Sequence, residues 1–163
     1  MGVLFFLRWL QVGEVDYQDP TTFNDWVAVV GFSLALGCLA LALPTFAGLA
    51  GTHTAYRVSL FPAAGCALAS IANLLEDGLQ WSPAFWGFVI GVLVTTIGLL
   101  ALTIAMAWTC LGANRLLCLV PALTLAGVLL FEAFGGILLL LAWLAAATIT
   151  WRNTQVVADP QSR

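Results

Sequence analysis

Along most of this chain apolar residues run on without the recurring polar positions that mark one face of an amphipathic helix. Polar clusters bound these runs instead of striping them: "QDPTTFND" before Trp26, "GTHTAYR" after Leu49, "EDGLQWSP" after Leu75, "GANR" after Trp108 and "RNTQ" after Trp151. An α-helix needs roughly 20 apolar residues to cross about 30 Å of hydrocarbon. The pattern therefore predicts an all-α, polytopic membrane helical bundle of five transmembrane helices, at about 26–49, 55–75, 83–108, 115–131 and 134–151.

The last two spans come from one run. Leu116 to Trp151 would exceed 50 Å as a single helix at about 1.5 Å per residue, so it must fold back. The break is expected in "FEAFGG", Phe131 to Gly136, where a charge and paired glycines interrupt the pattern. A four-span alternative treats everything after Arg115 as one span plus a re-entrant piece.

Local signals refine the ends. Asp19 is the expected N-cap of the first helix, with Pro20 in its first turn, and Ser82 with Pro83 forms the same pair before the third. Pro44 predicts a kink, and Gly78 a stop after the second span. Residues 1–12, "MGVLFFLRWLQV", are too few to span and are expected to lie as an interfacial segment. They lack a charged leader with a cleavage site, and Phe6 stands where a myristoylation motif has Ser or Thr. The whole chain, 1–163, is then a single integral membrane domain with 152–163 as a cytoplasmic tail.

Composition strengthens this picture: apolar residues make up 62% of the chain and charged ones 8%. Nothing is left over for a soluble catalytic domain. There is no lysine, and the five arginines, Arg8, Arg57, Arg115, Arg152 and Arg163, form no basic patch, so nucleic acid is not an expected partner. Short loops rich in Lys and Arg face the cytoplasm. With the N-terminus outside, Arg57, Arg115, Arg152 and Arg163 all fall inside, while Asp16, Asp19, Asp25, Glu76, Asp77 and Glu132 fall outside; only Arg8 disagrees. Trp26, Trp81 and Trp86 would then mark the outer interface, and Trp108 and Trp151 the inner one. An alanine- and leucine-rich chain with arginine as its only basic residue besides His53 suits a bacterial plasma membrane.

Few residues carry candidate chemistry. Glu76 and Asp77 close the second span and Glu132 the fourth, at helix C-termini where the macrodipole disfavours an anion by about 0.3–1 kcal/mol each. With Asn73 they form a candidate polar or cation cluster at the outer edge of the core. His53 and Arg57, one turn apart, and Arg115 are the candidate contacts for lipid phosphate. Cys38, Cys66, Cys110 and Cys118 lack metal or redox spacing and are expected to be small buried hydrophobes, with Cys38 and Cys66 at similar depth. No metalloprotease, nucleophile-elbow or phosphate-loop motif is present, so no catalytic residue, metal or cofactor is assigned.

Small residues draw two stripes. Gly65 and Ala69 lead to Asn73 and Glu76 on the second span, and Gly87, Gly91, Thr95 and Gly98 follow one another on the third. Such faces let helices approach closely in lipid, within one chain or between subunits. "AYRVSLFPAAGCALASIANLLEDG" and "ANRLLCLVPALTLAGVLLFEAFGG" also share an order of Arg, Pro, small residues, carboxylate and Gly, as a repeated hairpin would. Three functions follow in order: a non-enzymatic accessory subunit, assembly factor or lipid-contacting scaffold; a small cation or proton transporter or channel using the outer carboxylates; and an intramembrane lipid-modifying enzyme. Membrane lipid and other membrane subunits are the expected partners.

Overall fold

A computed structural model describes residues 20–50, 53–109, 115–130 and 135–158, and over these the chain is 92% helical, with no strand. Helix α1 spans Phe23–Ala50 and α2 spans His53–Asn73, continuing through a π-helical turn, Leu74–Gly78. Helix α3 spans Ala84–Thr109. A 3₁₀ turn, Arg115–Cys118, leads into α4, Leu119–Leu129, and α5 runs from Gly136 to Ala158. The chain is a helical membrane bundle. Three helical stretches, Phe23–Leu49, His53–Gly78 and Ala84–Trp108, are long and apolar enough to cross a membrane, and two shorter apolar ones, Leu116–Leu129 and Gly136–Trp151, accompany them.

The helices fall where the apolar runs predict, because runs of this length leave no other way to satisfy backbone amides in lipid. Their ends differ in detail. Helix α1 starts after Pro20, with Thr22 as its cap: Thr22 N and Thr22 Oγ1 donate to Asp25 Oδ2 (2.8 and 2.7 Å), and Asp25 N donates back to Thr22 Oγ1 (3.3 Å). This reciprocal pair is a capping box built with Asp, and it displaces the expected start at Asp19 and Pro20. Before α3, Ala84 N and Phe85 N donate to the carbonyls of Trp81 and Ser82, so Pro83 lies in the turn that opens the helix. Helices α1 and α2 continue through Pro44 and Pro62.

Neighbouring helices are antiparallel. Gly37 of α1 faces Ser70 of α2, and Gly48 faces Tyr56. Along α2 and α3, Pro62 meets Gly98, Gly65 meets Gly91 and Thr95, and Ala72 meets Gly87. Cys118 Sγ donates to Met106 O (3.4 Å), which starts α4 beside the end of α3. Gly127 then packs on Leu139, folding α5 back along α4. The break falls in the predicted "FEAFGG" segment. Two consequences follow for the whole molecule: α5 runs in the direction of α1, and its Trp151 lies at the same end as Leu49 and Trp108. The four-span alternative, with the C-terminus at the opposite end, does not describe this arrangement.

The core is a single cluster running through all five helices, from Leu36, Leu39 and Leu43 of α1 to Leu99, Leu102 and Met106 of α3, Val120 of α4 and Leu139 of α5. In α1 the buried positions Ala28, Ala35, Leu39, Leu43 and Phe46, with half-buried Phe32, recur every three or four residues, yet the opposite face, Val27, Val30, Leu34 and Leu41, is just as apolar. An outward face this apolar suits lipid, and with both faces apolar the helix shows no amphipathic stripe. Trp26, Trp81 and Trp86 are exposed toward one end of the bundle and Trp108 and Trp151 toward the other, two layers of the kind that anchor at membrane interfaces.

The two hairpins proposed as a repeat differ in build: α4 has 11 residues, against 21 in α2. The residues 1–12, Asp19, Cys110, Glu132 and the chain beyond Ala158 lie outside the described residues.

Candidate functional site

The polar candidates gather at the end of α2 that faces the start of α1. Asn73 is buried, and its Nδ2 donates to Ser33 Oγ (3.0 Å) and to Val29 O (3.4 Å). One turn earlier Ser70 Oγ donates to Ser33 O (2.7 Å). Ser33 thus joins two α2 side chains to α1, one through its hydroxyl and one through its carbonyl. Sequence reading passes over Ser33, although it stands alone among apolar residues between Asp25 and Thr45 apart from the thiol of Cys38, and an isolated hydroxyl inside a membrane helix faces a partner.

The expected stripe of Gly65, Ala69, Asn73 and Glu76 divides between two neighbours. Gly65 and Ala69 face α3, where a Cβ on Gly65 would stand 2.6 Å from Thr95 N and one on Gly91 2.6 Å from Ala69 N. Asn73 faces α1. Positions four apart drift by about 40° around a helix of 3.6 residues per turn, so the eight residues from Gly65 to Asn73 carry the stripe onto a second interface.

Glu76 and Asp77 lie in the π-helical turn, half-buried. Leu79 N donates to Leu74 O (3.1 Å) and Trp81 N to Leu75 O (2.9 Å), wide closures that end the helix. The helical stretch ends at Gly78, where the sequence predicts a stop, and Gln80 just beyond it takes a left-handed conformation, φ 55°. Gln80 Nε2 donates to Asp77 O (3.0 Å). Gly78 packs beside Trp26 Cζ3, where a Cβ would lie 3.7 Å away. π turns recur at functional sites. Here, among the described residues, neither carboxylate forms an ion pair, and no group of three His, Cys, Asp or Glu side chains is placed to hold a metal. Asn73 turns its amide nitrogen to α1. Glu132, the fourth member, lies outside the described residues.

At the opposite end His53 and Arg57 are both exposed in the first turns of α2, and Arg115 opens the 3₁₀ turn before α4. The cysteines bear out the small-hydrophobe reading in part: Cys66 is buried and accepts from Thr95 Oγ1 (3.6 Å) on α3, while Cys38 and Cys118 are half-buried. None of the three is bridged by a disulfide; Cys38 borders residues of the last helix, whereas Cys66 faces α3.

Inside the bundle, the remaining buried hydroxyls turn back on their own helices. Ser59 Oγ donates to Tyr56 O (2.6 Å) and Thr124 Oγ1 to Val120 O (2.7 Å). One group stands apart: Trp143 Nε1 is enclosed and has no hydrogen-bond partner. Comparison with protein-family models, with curated proteins and with solved structures returns no match.

Proposed function

We propose that this chain is a non-enzymatic multi-pass membrane protein, an accessory subunit, assembly factor or lipid-contacting scaffold of a membrane complex. One observation carries the reading: the buried hydroxyls, the Asn73 amide and the Asp25 carboxylate of the described helices are spent on capping helices and joining them. Asp25 caps α1, Asn73 and Ser33 join α1 to α2, Thr95 reaches Cys66, and Ser59 and Thr124 bond within their own helices. No charged side chain among the described residues sits at mid-span, where an ion or proton path would place one. The broad apolar exterior is what lipid and neighbouring membrane helices would meet.

The orientation that fits is N-terminus outside and C-terminus in the cytoplasm of a bacterium, with five crossings and with His53, Arg57 and Arg115 at the phosphate level of the inner leaflet. The test is recovery of partners from membranes by the tagged full chain. A triple variant, Glu76→Gln, Asp77→Asn and Glu132→Gln, is expected to recover the same proteins in the same amounts as the native chain. Loss of those proteins together with loss of function in the triple variant overturns the reading in favour of an acidic binding site.

A further inference from the structure

Between α1 and α5 the bundle stays open. A groove of about 480 Å³ lies there, walled by Cys38, Ala42 and Leu49 of α1 and by Trp143, Ala146 and Ala147 of α5. That volume is within the range of about 300–1,000 Å³ typical of small-molecule sites. The groove exists because three alanines leave the space that larger side chains would fill, while Phe46 and Trp143, edge to face at 5.7 Å between ring centres, prop the two helices apart. Its hydroxyls are already used: Thr45 Oγ1 donates to Leu41 O and Thr150 Oγ1 to Ala146 O. What it offers is an apolar trough about eleven residues of helix long, or roughly 16 Å.

Charge decides what fits it. The trough ends at Leu49 and Thr150, at the end of the bundle that carries His53, Arg57, Arg115 and Arg152, whereas Asp25, Glu76 and Asp77 lie at the other end. An apolar chain seated in the trough would thus emerge at the end of the bundle where α2 exposes His53 and Arg57.

We propose that the α1–α5 groove binds one anionic glycerophospholipid, with an acyl chain along Ala42, Ala146 and Ala147 and its phosphate at the arginine-bearing end. A second copy of the chain in the same orientation would bring basic residues, not an anionic group, to that end. This assignment rests on the lipid-contacting reading above and specifies the lipid and its seat.

The test is native mass spectrometry of the full chain in mild nonionic detergent, incubated with equal amounts of phosphatidylglycerol and phosphatidylcholine. One bound phosphatidylglycerol per protein is expected, at least about five-fold over phosphatidylcholine. Ala147→Phe, a change at an exposed position that fills the trough, is expected to cut bound lipid about ten-fold with an unchanged melting temperature. Arg57→Gln is expected to keep lipid binding while losing the preference for the anionic headgroup. Lipid retained by Ala147→Phe, no head-group preference in the native chain, or a dimer that Ala147→Phe converts to monomer would each overturn the proposal. Partner recovery scored on the same preparations separates the two readings: partners without lipid overturn the groove alone, and lipid without partners overturns the scaffold alone.

Discussion

The seam between α2 and α3 and the seam between α1 and α5 use the same small residues to opposite ends. Along α2 and α3 glycines meet backbone: Gly65 against Thr95 and Gly91, Gly91 against Ala69, Gly98 against Pro62, each leaving less room than a Cβ requires. Along α1 and α5 alanines face one another across open space, because Phe46 and Trp143 hold the helices apart. In lipid there is no hydrophobic force to draw helices together, so close van der Waals contact is what joins them. A small residue therefore glues two helices only where nothing bulky stands beside it. Where an aromatic pair does, the same residue makes a groove.

The sharpest break of this comparison is a pair of enlargements. Gly91→Leu drives a side chain into the backbone of Ala69 and is expected to destabilise the bundle by about 3 kcal/mol or more, at or beyond the upper end of overpacking costs. Ala147→Phe, entering the groove, is expected to change stability by less than about 0.5 kcal/mol. Unfolding of both variants in mixed detergent micelles measures the difference; equal losses would mean that the two seams are packed alike.

A smaller effect sharpens the contact between α1 and α2. Asn73→Ala removes the bonds to Ser33 and Val29, with an expected loss of about 1–2 kcal/mol. A double-mutant cycle with Ser33→Ala should return a coupling of about 0.5–1 kcal/mol, and a coupling of zero would remove Ser33 as the hub of that seam. The smallest effect concerns the chain reversal after the π turn. Gln80→Gly relieves a left-handed residue and is expected to raise stability by up to about 1 kcal/mol, with no change in lipid retention.

The candidate site was legible in identity more than in arrangement. Asn73, Glu76 and Asp77 stand out in the sequence because they interrupt apolar runs, and the end of α2 is where the structure puts them. That the stripe passes from α3 at Gly65 to α1 at Asn73 was hidden, since spacings of three and four describe one helix face only over a short distance. Ser33 and Trp143 needed neighbours to acquire meaning: a lone serine and a lone tryptophan within apolar runs carry no direction by themselves.

By itself the sequence determined that the described stretches are helices, where the chain breaks between α4 and α5 and, among the described residues, which end is acidic and which basic. Those follow from run length and charge, which act on each segment independently of the rest. It also marked the glycine faces of α2 and α3, because small size is a local property that serves close approach. Only the tertiary structure decided which side of α1 is core and which is lipid-facing, for both sides are equally apolar and both environments are oil-like. The same holds for the groove between α1 and α5. Whether an alanine closes a gap or leaves one open depends on the bulk of the residues beside it on two helices nearly a hundred positions apart.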